Sequence, residues 1–148
     1  MGLLDFLKPR KQKSALDVLM ENPIFQQQKA IFDAMNAMSA GGCDTDELSY
    51  GTGEFGLTAT NPIPTNTIFG SNSYLSRLCT ADGYKVHNER RGSIRVEGIL
   101  TPIDVYDLSR AAGTPFGTIY ISPYHRRTSN KAPRGFRLLF AKAEYHAD

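Results

Sequence analysis

The sequence predicts an α+β fold, with N-terminal helices packed on one face of a mostly antiparallel sheet of about five to six strands. Three observations predict it. A helical apolar period runs through residues 23–40. Short strand-like segments separated by turn residues follow from Ser73 onward. Helices come first along the chain and strands after.

The chain starts with an apolar cluster, Leu3, Leu4, Phe6 and Leu7, followed by Lys8, Arg10, Lys11 and Lys13, with Pro9 stopping the short helical turn. An apolar wedge with a basic tail suits an anionic membrane surface, so residues 1–8 are a candidate peripheral membrane contact. The alternative is that this turn packs on its own domain. Ser14 caps a second short helix, with Asp17 at the capping-box position. Asn22-Pro23 opens the long helix as cap and first turn, and Gly41-Gly42 ends it. Its Ile24, Phe25, Ile31, Phe32, Met35 and Met38 keep helical spacing and are expected in the core.

Residues 40–72 hold six glycines and two prolines and read as a long loop. Within it, Gly51-Thr-Gly53-Glu-Phe-Gly56 matches G-x-G-x-x-G, but no strand precedes it and no helix follows. A dinucleotide site needs both, so these are turn glycines. Strands are expected over 74–79, 84–87, 93–97, 103–108, 117–122 and 135–140, with turns at 81–83, 88–92 and 111–115. Residues 1–45 are thus a helical segment and 46–148 a mainly β domain, together one compact unit.

The 148 residues contain no run of about 18 apolar residues, which excludes a transmembrane helix. The first apolar cluster is too short for a signal-peptide core. Two cysteines, Cys43 and Cys79, cannot make a disulfide scaffold, and three histidines give no zinc pattern. The expectation is a cytoplasmic protein, bacterial in style, with no cofactor and no metal.

Charge is uneven along the chain. Residues 1–84 carry six Lys/Arg against nine acids, net −3; residues 85–148 carry eleven against six, net +5, and all three histidines. No basic residue falls between Lys29 and Arg77, where Asp33, Asp44, Asp46, Glu47 and Glu54 lie. Either the basic part meets an anionic partner or the two parts fold together and neutralise each other.

The densest polar stretch, 123–136, contains Tyr124, His125, Arg126, Arg127, Lys131 and Arg134 between two expected strands. Arginine offers a rigid donor fork for carboxylate or phosphate, and histidine titrates near neutral pH. A second cluster, His87, Arg90 and Arg91, falls in an expected turn. Three readings follow. The leading one is a small binding or interaction domain whose basic C-terminal loops, through Arg90, Arg91, Tyr124, Arg126, Arg127, Lys131 and Arg134, hold an anionic or protein partner, nucleic acid among the possibilities. The second is a metal-independent, RNase-like phosphodiesterase, with His87 and His125 as base and acid and arginines holding the developing charge, provided that the two loops share one end of the sheet. The third is a peripheral membrane-surface protein acting through residues 1–8.

Glu54-Phe-Gly56, Asn61-Pro-Ile-Pro64, Gly70, Tyr74-Leu75, Gly83, Arg91-Gly-Ser93, Tyr124-His-Arg-Arg-Thr-Ser129, Pro133 and Gly135 resemble a set of small uncharacterised bacterial proteins over about residues 50–138. The resemblance implies that residues 1–45 are a variable helical addition. It also implies that the Asn61–Pro64 turn and the Tyr124–Arg127 loop form one constellation.

Overall fold

The computed structural model describes residues 14–140. The chain divides into two compact units, Met1–Ala34 and Met35–Asp148. The first contains α1 (Ala15–Met20) and most of α2 (Pro23–Ser39). Ser14 caps α1 through a complete capping box, accepting from the Asp17 N–H at 3.2 Å while Asp17 Oδ2 accepts from the Ser14 N–H at 3.0 Å. Asn22 Oδ1 accepts from the Ile24 N–H at 2.9 Å at the start of α2. Residues 1–13, which include the candidate membrane contact at 1–8, lie outside the described residues.

Within the second unit the described elements are β1 (Ile63–Pro64), α3 (Thr67–Arg77), β2 (Leu78–Thr80), β3 (His87–Ile94), β4 (Ile103–Ser109), β5 (Pro115–Ser122) and β6 (Phe136–Leu138). Helices and sheets are both present, so the fold is α+β. The sheet differs from expectation. It has four strands in the order β1-β5-β4-β3, and it is mixed, because β1 runs parallel to β5. The β2 and β6 strands form a separate antiparallel ladder. The short β1 contains Pro64, which is tolerated because this strand is a sheet edge.

The expected strand over 74–79 is mostly helix. Thr67, Ser71, Tyr74 and Leu75 are the buried residues of α3, and their spacing is helical. Tyr74 is fully buried and its hydroxyl donates to the Lys131 carbonyl oxygen at 2.7 Å. Burial raises its pKa far above that of a free phenol. Tyr74 and Leu75 join Ile63, Leu78, Val86, Tyr106, Leu108, Ile119, Ile121 and Leu138 in the core. Ile119 and Ile121 alternate inward along β5, as a half-buried strand requires.

The apolar stripe of α2, expected to be core, is largely open: Ile24, Ile31, Phe32 and Met38 are all exposed. The core is filled instead by α3 and the two sheets.

Candidate functional site

The site grows from the way three loops close over one end of the four-stranded sheet. The chain leaves β1 through Thr65-Asn66, and leaves β5 through Pro123 into the loop 123–134. Backbone bonds stitch these together. The Thr65 N–H donates to Ser122 O at 2.9 Å, His125 N–H to Thr65 O at 3.0 Å, Thr67 N–H to Pro123 O at 3.0 Å and Ser129 N–H to Pro64 O at 2.9 Å. Asn66 Nδ2 donates to His125 O at 2.9 Å. The segment Pro64–Thr67 and the stretch Ser122–Ser129 therefore meet. Thr67, held by its bond to Pro123, takes φ +62°, a left-handed conformation that is costly for a β-branched residue.

The third loop, 42–54, packs on the outside of this pair. Gly42 approaches so closely that a Cβ there would stand 2.3 Å from Tyr124 O and 2.4 Å from His125 Cα. Only glycine fits. Cys43 then exchanges bonds with both neighbours: its N–H donates to His125 Nδ1 at 3.0 Å, and its carbonyl accepts from the Arg126 N–H at 3.0 Å.

His125 is buried, and its other nitrogen, Nε2, lies 2.9 Å from Ser122 Oγ, also buried. Burial pushes the imidazole pKa below its ordinary value, so the ring is neutral at pH 7. Nδ1 accepts from Cys43, so the single ring proton sits on Nε2 and donates to Ser122 Oγ. Ser122 thus faces a donor, and the pair is not wired as nucleophile and base. His125 ties β5 to the 42–54 loop.

Most of the basic loop is neutralised by the acidic one. Arg127 Nη1 meets Asp46 Oδ1 at 2.7 Å, and its Nε meets Asp44 Oδ1 at 3.2 Å. Lys131 Nζ meets Glu47 Oε2 at 2.6 Å, and Arg134 Nη1 meets Glu54 Oε1 at 3.3 Å. The Asn130 N–H on Asp46 Oδ1, aided by Arg127 and opposed by partial burial, holds the Asp46 carboxyl below the usual range. Hydrogen bonds from the Lys131 ammonium and the Asn61 amide do the same for Glu47. These acids, Asp44, Asp46, Glu47 and Glu54, lie in the base-free stretch, and their pairs are those of the mutual-neutralisation alternative. The signal was the base-free acidic stretch opposite the basic one.

Arg126 is the exception. Its Nε donates to Gly42 O at 3.0 Å, and no carboxylate among the described residues pairs with it. Gly42 is part of the wall of a cavity of about 390 Å³, with Met38, Tyr50, Leu100, Tyr124 and His125 also lining it. Leu100 is 95% exposed at this cavity. An exposed guanidinium, anchored through one nitrogen to the cavity wall, leaves its Nη donors for an incoming anion.

The second cluster stands elsewhere. His87, Arg90 and Arg91 lie in β3 itself, not in a turn, because residues 87–90 and 92–94 pair with β4 around a bulge at Arg91. His87 is opposite Ser109, and Ser109 opposite Pro115, at the start of β5. His125 follows the far end of β5, so the two histidines sit at opposite ends of the sheet, about 20 Å apart along the strand. Arg90 Nη2 bonds Asp104 Oδ1 at 3.0 Å and Arg91 Nε pairs with Asp107 Oδ2 at 3.3 Å. His87 and His125 are therefore not brought together, and the arginines of the two clusters are divided likewise. Among the described residues no group of three or more His, Cys, Asp or Glu could hold a metal ion. No helix among them is long and apolar enough to cross a membrane. Comparison with protein-family models, with curated proteins and with solved structures returns no match for this chain.

Proposed function

We propose that the second unit is a binding module for a partner that presents an anionic group beside an apolar one. The anion docks on the Arg126 fork, and the apolar group enters the cavity lined by Tyr50, Leu100 and Tyr124. One observation carries this reading: no carboxylate among the described residues pairs with Arg126, while Arg127, Lys131 and Arg134 beside it are all paired. An unpaired arginine at a concave, part-aromatic surface is the arrangement that leaves binding energy for a ligand. His125 acts in this reading as a positioning residue, holding Gly42 and Cys43 against the loop that carries Arg126.

The test is an NMR titration with two small probes, N-acetylphenylalanine and phenyl phosphate, and N-acetylphenylalaninamide as the uncharged control. The charged probes should shift the Gly42, Tyr124 and Arg126 amides saturably, and Arg126→Gln should remove the response. Equal shifts from the neutral amide, or none from any probe at millimolar concentration, would overturn the reading.

A further inference from the structure

The first unit presents an apolar surface that its own helices leave uncovered. No residue of α1 is buried, and Leu16, Val18 and Leu19 are exposed. On α2, Ile24 is 66% and Ile31 55% exposed, with Phe32 beside them. Ile24 and Ile31 are seven residues apart and share a face, while Gln26, Lys29 and Asp33 fall on the opposite one. Over residues 24–33 this is an amphipathic helix whose apolar side is exposed.

Charge identifies what covers it. Just before α1 the sequence carries Lys8, Arg10, Lys11 and Lys13 against Asp5 alone, net +3 for residues 1–13 by four bases less one acid. Two acids of the helices are already engaged. Asp17 closes the α1 capping box, and Asp33 is paired with Lys29 at 2.6 Å. Glu21 also has a partner. A concentrated basic run next to exposed Leu, Ile and Phe is complementary to anionic lipid headgroups above an acyl layer. A second copy fits less well. The seven-residue spacing covers only two heptads with Gln28 on the stripe, short of a coiled-coil seam, and a parallel pair would bring two basic runs together.

We propose that the exposed apolar residues of α1 and α2, Leu16, Leu19, Ile24, Ile31 and Phe32, lie at the acyl boundary of anionic membrane surfaces, which the positive charge of the preceding sequence favours. This is independent of the Arg126 reading and involves none of its residues.

The experiment is flotation of the full chain with phosphatidylcholine vesicles, with and without phosphatidylglycerol, alongside light scattering of the lipid-free protein. Two variants accompany it: a quadruple Lys8→Gln, Arg10→Gln, Lys11→Gln, Lys13→Gln change, and the pair Leu16→Asp with Ile31→Asp. Amide spectra of the second unit verify that each variant is folded. The expected result is binding to the anionic vesicles only, weakened at least about tenfold by either variant and by high salt. Absence of binding, equal binding to neutral vesicles, or binding untouched by both variants would overturn the proposal. So would a lipid-free dimer that Leu16→Asp with Ile31→Asp converts to monomer, which would assign the face to a second copy.

Discussion

The chain contains two Arg-Arg pairs, Arg90-Arg91 and Arg126-Arg127, and they end differently. Both members of the first pair meet carboxylates, Asp104 and Asp107, carried by the neighbouring strand β4. In the second pair Arg127 meets Asp44 and Asp46 from a loop more than eighty positions away, while the Arg126 side chain meets the carbonyl of Gly42 and no carboxylate among the described residues. In β3 the adjacent strand supplies the partners, reached diagonally across the ladder and from a bulge at Arg91. In the 123–134 loop, tertiary docking supplies them and leaves one guanidinium over. Counting bases therefore misjudges a surface; what counts is which bases the fold leaves unmatched.

The comparison can be broken at several points. The largest effect is expected from Gly42→Ala, because the new Cβ meets backbone on the Tyr124–His125 side. Loss of about 3 kcal/mol of unfolding free energy is expected in a denaturant titration. Arg126→Gln should leave stability unchanged and weaken binding of N-acetylphenylalanine at least tenfold, read by NMR. Asp46→Ala removes the Arg127 pair and the acceptor of the Asn130 N–H, at about 1 kcal/mol, since both partners are partly solvated.

A smaller effect separates the histidine by pH. Folded His125 has a depressed pKa, so the unfolded chain takes up a proton near pH 6.5 that the folded protein resists. Stability should be full above about pH 6.5 and decline as pH falls through the folded value. His125→Gln should flatten that segment of the stability profile. The contribution of Asp46 and Glu47, whose ordinary values are 3.8 and 4.5, is lost only at lower pH, as these depressed carboxyls protonate. Smallest of all, Arg91→Ala should change stability by less than about 0.5 kcal/mol, because its pair with Asp107 is solvent-exposed.

Much of the β structure was legible because it obeys period two. The alternation in 103–108 and 117–122 reappears in β4 and β5 nearly residue for residue. The middle of β3 was not legible: nearly all of the strand is exposed, so its charged residues carry no alternation, and 88–92 read as a turn between two shorter strands. The α3 helix was hidden by the Gly, Ser and Asn among its residues, which favour turns locally. Only tertiary packing of Tyr74 and Leu75 makes it helical. In α2 the helical period was clear, yet period alone does not tell a core face from an exposed one. At the site, the loop bearing Arg126 and Arg127 was visible as a basic cluster, and the acidic stretch that answers it was visible too. Their pairing was not, because partners more than eighty residues apart leave no mark in local spacing.

The central claim is that Arg126 is the cation of the 123–134 loop that no carboxylate among the described residues pairs with. The direct measurement is side-chain NMR of the arginine Nε–Hε groups during titration with N-acetylphenylalanine. The account predicts that the Arg126 resonance moves saturably while those of Arg90, Arg91 and Arg127 stay in place. Equal movement of all four, or movement of Arg127 with Arg126 silent, would contradict it.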